Sequence, residues 1–386
     1  MRPLICLGFT AWKSNYAKST IQILSRVSRT HPVLYIDYQY TIKDVFLNLF
    51  KKNPIEKGRI LGYKSRLRTE YLEAYGHINV LSLPPVLPIN WVSNTGLFDL
   101  LLKLNGFIIS KTIKRSIKKL SFQDGVVVNA YNPIYGIALA SCFKNNSVTY
   151  YCYDEISGSP WAEKHGARLE KRFFTLVDKV ITTSESLKEA KSKYHTKVFT
   201  VKNGVDFRFF NDHLKDHINE SPVVGYVGSL DERIDYQLLK EVAEALPEMN
   251  FVLIGRVVFP DMIAPINSVR NIRLMGPIAY DSLPVEVNKF DVCLIPFLKT
   301  KFTANIYPLK INEYLALGKP VVRTNFSTLK EFESLIFTAD TSNDFVQCVK
   351  KALKENDKDL KKKRIKMASE NSWDKRVELF NQIIFN

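Results

Sequence analysis

Lys310 and Glu313 are three residues apart, which places both side chains on one face if the segment is helical. A lysine in the first turn of a helix lies where the free backbone N–H groups already make the site positive, so a bound anion would favour it there. A carboxylate only accepts hydrogen bonds and so suits a pair of sugar hydroxyls. The pair therefore suggests a nucleoside diphosphate site, although an exposed ion pair contributing roughly 0.3 kcal/mol fits the same spacing.

The helix that would carry this pair is bounded by local sequence signals. Pro308 can begin a helix without the loss of a hydrogen bond, and Gly318 followed by Pro320 is typical of a helix end. We predict a helix over about 309–317 and a buried strand at 320–323.

Apolar strand-like runs alternate with amphipathic stretches along most of the chain, which is typical of doubly wound parallel sheets. The first run, at 4–8, precedes a helix at about 14–28 and a second run at 32–37. A new series starts at 223–228, and 386 residues are enough for two cores. We predict an α/β chain with a first domain at 1–205, a polar linker at 206–221, a second domain at 222–369 and a final helix within 370–386.

Residues 41–75 interrupt the alternation in the first domain. They are rich in Lys and Arg, including Lys51 and Lys52, and they show little periodicity. We interpret them as an insertion or a mobile loop region.

The net charge of +16 is confined to one half of the chain. Residues 1–205 hold 30 Lys and Arg against 14 Asp and Glu, whereas residues 206–386 hold 25 of each kind. This asymmetry predicts a polyanionic partner for the first half, either anionic lipid or nucleic acid. Nucleic-acid binding would need basic residues interleaved with stacking aromatics or a recognised module, and the sequence has neither. We therefore expect an anionic membrane surface and no nucleic acid.

The five cysteines are odd in number and have no CxxC spacing, which favours a reducing compartment. The N-terminus has one short apolar run without a cleavage site, and no segment has 18 uninterrupted apolar residues. We expect a cytoplasmic protein that is peripheral on the inner face of the cell membrane.

A Leu-, Ile- and Phe-rich segment at 97–120 ends in a cluster of cations. Aromatic residues beside cations are typical of interfacial membrane patches. An ordinary amphipathic helix with a solvated end is the alternative interpretation. The predicted membrane-contacting residues are Trp91, Phe98, Phe107, Lys111, Lys114, Arg115 and Lys118.

The segment 305–322 resembles the signature helix of the GT-B glycosyltransferases, in particular the bacterial group-1 family. Aligned on the Gly-x-Pro-Val-Val that follows, Glu313 takes the place of the glutamate that holds the nucleotide ribose, and Asn305 replaces the glutamate that contacts the donor sugar. Pro-Leu-Lys-x-x-Glu-Tyr at 308–314 is similar to a subgroup that includes teichuronic acid and xanthan-type glucuronosyltransferases, in which the lysine meets the diphosphate. The resemblance implies two Rossmann-like domains facing a cleft, with the segment 370–386 crossing back to the first domain.

The same resemblance implies a donor site in the second domain. Ser229 replaces one residue of the family's basic pair and Arg233 approximately replaces the other, while 276–280 resembles the segment whose backbone reads the base. The predicted donor-binding residues are Gly228, Ser229, Arg233, Arg256, Ile278, Asn305, Pro308, Leu309, Lys310 and Glu313.

Asp154 follows an apolar strand of the first domain, where the carboxyl end of the strand would present it to an acceptor hydroxyl. If the enzyme inverts configuration, Asp154 is our candidate base and Glu155 the second. A loop Asp that caps local N–H groups is the alternative. A lysine and a helix N-terminus can neutralise a leaving diphosphate, so we expect neither a metal nor another cofactor.

The leading hypothesis is a glycosyltransferase that moves a sugar from a nucleoside diphosphate sugar, expected to be UDP-linked, to an acceptor at the cytosolic membrane face. The acceptor would be lipid-linked or a cell-surface polysaccharide. A nucleotide-sugar epimerase on the same fold is the enzymatic alternative, and a basic nucleic-acid-binding protein is the non-enzymatic one.

Overall fold

A computed structural model of the chain describes residues 1–13, 19–48, 55–156, 162–355 and 357–386. The chain forms two compact units. The first consists of Met1–Lys202 together with Val377–Asn386, and the second of Asn203–Arg376.

The first unit is built on a sheet that has eight strands within the described ranges. They are β1 (Leu4–Leu7), β2 (Val33–Ile36), β3 (Leu67–Leu72), β4 (Gly76–Leu81), β5 (Val126–Ala130), β6 (Val148–Cys152), β7 (Lys179–Thr182) and β8 (Val198–Thr200). Their order is β3-β4-β2-β1-β5-β6-β7-β8, and β3 alone of these runs antiparallel to its neighbour. The chain winds outward in both directions from β1 and β5, which makes the gap between them the switch point.

Seven helices of the first unit fall within the part of the chain that the structure describes. They are α1 (Ser19–Val27), α2 (Ile42–Leu47), α3 (Lys57–Ile60), α4 (Thr95–Leu120), α5 (Pro133–Ala138), α6 (Gly166–Phe173) and α7 (Glu185–Ser192). The predicted start of the first helix at residue 14 lies outside the described residues. Strands such as β1 and β5 are buried along their whole length, which explains their continuous apolar sequences.

Residues 41–75 contain α2, α3 and β3, so their interpretation as a mobile loop region is wrong for the described part, and the alternative, an insertion, stays a prediction. Lys51 and Lys52 lie outside the described residues. The sequence of β3, Leu-Arg-Thr-Glu-Tyr-Leu, is polar because the strand lies at an edge of the sheet and is half-buried or exposed at every position.

The second unit has a sheet in which the six described strands are all parallel, in the order β11-β10-β9-β12-β13-β14. They are β9 (Val223–Val227), β10 (Asn250–Ile254), β11 (Ile272–Gly276), β12 (Val292–Ile295), β13 (Val321–Thr324) and β14 (Phe337–Ala339). The switch point of this sheet lies between β9 and β12.

The helices from residue 203 onward follow the same alternation. They are α8 (Phe207–Asn211), α9 (Tyr236–Ala245), α10 (Leu283–Asn288), α11 (Leu309–Ala316), α12 (Ser342–Lys354), α13 (Lys358–Glu370) and α14 (Trp373–Phe385). α8 lies in the segment 206–221 that we predicted to be a polar linker. Because Phe210 is fully buried in the core of the second unit, this part of the segment belongs to that core.

The end of α14 packs in the first unit. The Lys179 Nζ donates to the Ile383 carbonyl over 2.6 Å, the Phe380 ring lies 5.8 Å from that of Tyr151, and Phe385 stacks on His31 at 3.8 Å. Residues 377–386 therefore complete the first unit although they follow the second in sequence. None of the described helices is long and apolar enough to cross a bilayer.

Candidate functional site

α11 begins directly after Pro308, whose backbone is extended (φ −72°, ψ 125°), and no side chain caps its first turn among the described residues. The helix is anchored from below by Tyr314, which is fully buried and whose hydroxyl accepts a hydrogen bond from the Val227 N–H at the end of β9 over 2.9 Å. The first turn of α11 is thus held beside the switch point, with its backbone donors available to a ligand.

Lys310 and Glu313 form an ion pair on this turn, with 2.7 Å between Nζ and Oε2. Their side chains are 23% and 10% exposed, so both are shielded but reachable from solvent. The ion pair that the alternative interpretation predicts is present. It lies at the start of α11, which is also where the donor-site interpretation requires the two residues to be. The ammonium group of Lys310 has three hydrogen-bond donors, so it can stay paired with Glu313 and still bind an anionic oxygen of a ligand.

The other predicted donor residues follow the neighbouring strands. Gly228 and Ser229 follow β9, Arg256 follows β10, Ile278 lies just after β11, and 305–310 follows β12. Because β11, β10, β9 and β12 are adjacent and parallel, their carboxyl ends lie at one edge of the sheet. The structure therefore brings the predicted donor residues to a common edge.

Two glycines let the loops at this edge approach closely. A Cβ on Gly255 would lie 1.7 Å from the Gly228 carbonyl oxygen, so no other residue fits there without a backbone shift. The Leu230 N–H donates to the Arg256 carbonyl over 2.9 Å just beyond this contact. The edge is built from tightly apposed backbone, which can approach a phosphate more closely than a side-chain-covered surface.

Arg233 has a structural partner. Its Nε donates to Asp231 over 2.8 Å, and its guanidinium lies 5.5 Å from the centre of the Phe297 ring. Asn305, at the position of the family's first glutamate, donates from its amide to the Lys301 carbonyl over 3.0 Å. Arg256 is exposed.

Asp154 and Glu155 lie at the carboxyl end of β6, as predicted from the strand pattern. The Asp154 carboxylate accepts the Glu155 N–H over 3.0 Å, which is the local capping contact of the alternative interpretation. Glu155 is ion-paired with Lys191 at 3.0 Å, and Lys191 also contacts Glu170 at 2.7 Å. Lys191 and Glu170 are both buried.

Burial and ion pairing shift the pKa values of the residues in this network. Burial raises the pKa of Glu170, against the opposing effect of Lys191. Burial alone would lower the pKa of Lys191, but the acidic groups around it, Cys152, Glu170 and Glu155, raise it above its usual value. The network keeps a cation directly beneath the loop that carries the two candidate bases.

The predicted membrane residues do not all share one surface. Phe98 is 1% exposed and stacks on His165 at 4.0 Å, so its assignment to a membrane patch is wrong. Trp91 and Phe107 are 69% and 77% exposed, and the four predicted cations of α4 are exposed as well. Sequence reasoning missed three exposed leucines, which helical phasing from Phe107 would have found: Leu97, Leu100 and Leu104.

Residues 221–355 match the family model described as Glycosyl transferases group 1. The chain is also 28% identical, over 276 residues, to a Bacillus subtilis (strain 168) protein assigned as the teichuronic acid biosynthesis glycosyltransferase TuaH. The alignment covers 64% of this chain and 68% of TuaH. This chain is a glycosyltransferase with a group-1 domain in its second unit.

Solved structures show the fold of this glycosyltransferase to be GT-B, which confirms the predicted fold class. Sucrose-phosphate synthase from Thermosynechococcus elongatus superposes with a TM-score of 0.68 at 14% identity, covering 99% of this chain and 98% of the synthase. HepE from Anabaena, in complex with UDP and glucose, superposes with a TM-score of 0.67 at 14% identity over 100% of both chains.

Among the described residues, no three His, Cys, Asp or Glu side chains lie close enough together to hold a metal ion. The sequence Asp-Lys-Asp at 357–359 is an Asp-x-Asp motif, and here its first residue caps a helix. Asp357 accepts hydrogen bonds from the N–H groups of Asp359 and Leu360 at the start of α13.

Proposed function

We propose that this glycosyltransferase moves a sugar from a UDP-linked donor to a lipid-linked or cell-surface polysaccharide acceptor at the cytosolic face of the membrane. The main support for the donor part of this proposal is the Lys310–Glu313 pair at the start of α11, beside the switch point of a group-1 domain. HepE, which has the same fold, is in complex with UDP and glucose. TuaH is assigned to teichuronic acid biosynthesis, which supports a polysaccharide product.

In this proposal the donor diphosphate lies at the N-terminus of α11. Lys310 and the first-turn N–H groups bind the phosphate oxygens, and Glu313 accepts hydrogen bonds from the ribose hydroxyls. The backbone at Gly228 and Ser229 approaches the diphosphate, and the segment around Ile278 meets the base. Pro308 and Leu309 shape the entry to the helix.

Replacement of Lys310 or Glu313 by alanine should weaken UDP binding, measured by titration calorimetry, about ten- to a hundredfold. The basis is that a charge-assisted hydrogen bond contributes roughly 1.5–3 kcal/mol. A matched control is Lys289→Ala, because Lys289 and Glu286 form another pair at i, i+3 spacing with the same 2.7 Å separation in the second unit. Unchanged UDP affinity in both folded variants would refute the assignment.

The acceptor hydroxyl would lose its proton to Asp154 if the reaction inverts configuration. Asp154 is the first candidate because of its place after β6, and Glu155, which is ion-paired with Lys191, is the second. We also propose that the reaction needs no metal and no further cofactor, because Lys310 and the helix N-terminus stabilise the leaving diphosphate.

Membrane attachment would use the exposed face of α4. Leu97, Leu100, Leu104 and Phe107 are exposed at helical spacing, and the cations follow on the same face. An apolar stripe of this kind can enter the headgroup region while the cations meet anionic lipids. The cations of this face are Lys111, Lys114, Arg115 and Lys118.

Reversal of these four charges should release the protein from vesicles of phosphatidylglycerol and phosphatidylcholine, measured by co-sedimentation. Each cation near an anionic surface contributes about 1 kcal/mol at low salt. The matched control reverses four exposed cations of the second unit, Lys350, Lys351, Lys354 and Lys358, and should leave binding in place. Equal loss in both variants, or no binding by the wild type, would remove α4 from this role.

A further inference from the structure

Four aromatic residues follow four adjacent strands of the first sheet: Tyr38 after β2, Phe9 after β1, Tyr131 after β5 and Tyr153 after β6. Their ring centres are 6.4 Å apart from Tyr38 to Phe9, 5.6 Å from Phe9 to Tyr131 and 4.6 Å from Tyr131 to Tyr153. We call them the aromatic row. It crosses the switch point of the first sheet at the edge where Asp154 lies.

The backbone of the row carries strain. Tyr131 has a φ of 57°, and the other non-glycine residue with positive φ in the described ranges is Ser121, at the end of α4. A bulky residue in this conformation costs about 1–2 kcal/mol, and such strain clusters at functional sites. Here it places the Tyr131 ring between those of Phe9 and Tyr153.

Buried amides hold the loops of the row together. The Asn132 amide donates to the Gln39 side-chain oxygen over 2.6 Å and to the Gly8 carbonyl over 3.2 Å. The Gln39 amide in turn donates to the Asp37 carbonyl over 2.8 Å. Because Asn132 and Gln39 are both buried, these bonds join the loops after β1, β2 and β5 into one rigid support.

The surface of the row combines apolar faces with polar edges. Tyr38, Phe9 and Tyr153 are half-buried and form this surface, whereas Tyr131 is buried and supports Phe9 and Tyr153. The hydroxyls of Tyr38 and Tyr153 form no hydrogen bond within the part of the chain that the structure describes. Asp154 is the next residue after Tyr153. A sugar ring has the matching pattern, since it presents C–H groups on its face and hydroxyls around its edge.

The charges near the row argue against a phosphate. Lys13 and Arg68 border a cavity of about 20 Å³ that Tyr38 also lines. Lys13 is paired with Glu56 at 3.0 Å and Glu70 at 3.5 Å, and Arg68 is paired with Glu70 at 2.6 Å. Both of these cations are offset by carboxylates, so neither supplies an unpaired positive charge for an anion.

We propose that the half-buried rings of the aromatic row, those of Phe9, Tyr38 and Tyr153, bind a neutral sugar ring of the acceptor by stacking on its C–H face. The proposal rests on the proposed glycosyltransfer, and it specifies that the acceptor is recognised through a saccharide unit at this edge. Tyr38 and Tyr153 then bind the sugar hydroxyls, and the hydroxyl that is to be glycosylated lies within reach of Asp154.

The test is saturation-transfer NMR with neutral tetrasaccharides of glucose, galactose, mannose and N-acetylglucosamine as the probes. Saturation should reach the ring C–H protons of at least one probe in the wild type. Tyr38→Ala should weaken binding of that probe about tenfold, Tyr38→Phe should retain most of it, and Tyr71→Ala, at an 83% exposed tyrosine of β3, should bind as the wild type does.

The outcome separates this proposal from the donor assignment because UDP affinity is measured on the same variants. Normal UDP binding with no saturation transfer to any probe, or with undiminished transfer in Tyr38→Ala, would overturn the aromatic row as a sugar site. Loss of UDP binding in Lys310→Ala alongside intact transfer would support both. Failure of the wild type to bind UDP would instead refute the proposed function.

Discussion

The carboxyl edges of the two sheets share an architecture and differ in chemistry. In the second unit the edge consists of closely apposed backbone at Gly228 and Gly255, with Lys310 on an uncapped helix turn. In the first unit the corresponding edge carries aromatic rings, such as Tyr131, and the carboxylate of Asp154. One edge suits a diphosphate and the other a neutral ring with a reacting hydroxyl. In the proposed assignment, the parallel sheet supplies the location of each site, and the residues just after each strand decide which molecule it binds.

The largest expected effect is on catalysis at the first edge. Asp154→Asn should lower kcat by about 10²- to 10⁴-fold, because general-base catalysis contributes roughly that factor. UDP affinity should stay unchanged, since the second edge is intact. The kcat is measured from UDP release with the acceptor, and the anomeric configuration of the product is determined by NMR. Near-normal turnover, or a product of retained configuration, would remove Asp154 from the base role.

Lys191→Met should destabilise the first unit by about 3–5 kcal/mol, because it leaves the buried Glu170 carboxylate without its cation. The measurement is urea unfolding followed by fluorescence. Lys188→Met, on the same helix at a side chain that is 42% exposed, should change the free energy of unfolding by less than about 0.5 kcal/mol. Equal effects of the two substitutions would show that the buried network does not stabilise this edge.

Gly255→Ala should cost about 1–3 kcal/mol of stability and weaken UDP binding, because the new methyl group must displace the Gly228 backbone. Gly76→Ala, in the first unit, is the control. Gly76 has a φ of +100°, and a Cβ placed there would lie no closer than 3.6 Å to another heavy atom, so alanine should cost about 1–2 kcal/mol without a change in UDP affinity. Calorimetric titration with UDP distinguishes the two, and a Gly255→Ala variant with wild-type affinity would contradict the close-approach argument.

The smallest expected effect is that of metal removal. If Lys310 and the first turn of α11 stabilise the leaving diphosphate, transfer should continue at its normal rate in EDTA. Activity that EDTA abolishes and Mg²⁺ or Mn²⁺ restores would show that the second edge depends on a cation that its own residues do not provide.

The parts of this structure that local signals determine could be predicted. Pro308 and Gly318 define α11 within a residue or two, since the start and end signals of a helix lie next to it in sequence. Parallel strands that are buried on both faces could be recognised because their sequences are continuous apolar runs. The edge strand β3 was missed because an edge position tolerates the polar residues that made it look irregular.

Contacts that depend on the arrangement of distant segments could not be predicted. Phe107 and the four cations of α4 are exposed, as a surface patch requires, but Phe98 was placed on the wrong face because only its packing against His165 reveals which face is buried. The pairing of Lys191 with Glu155 joins residues 36 positions apart and depends on how α7 lies beneath the loop after β6. The aromatic row draws its members from four loops, and only the strand order brings them together.

The return of residues 377–386 to the first unit has a consequence for how the protein is made. Lys179, Tyr151 and His31 gain their α14 partners only from residues that are translated after the entire second unit. At roughly 5–20 residues per second, the second unit takes on the order of 10–35 s to synthesise. During that interval the first unit lacks residues 377–386 and the surface that they cover stays exposed. The unit that is synthesised first is therefore the last to be completed.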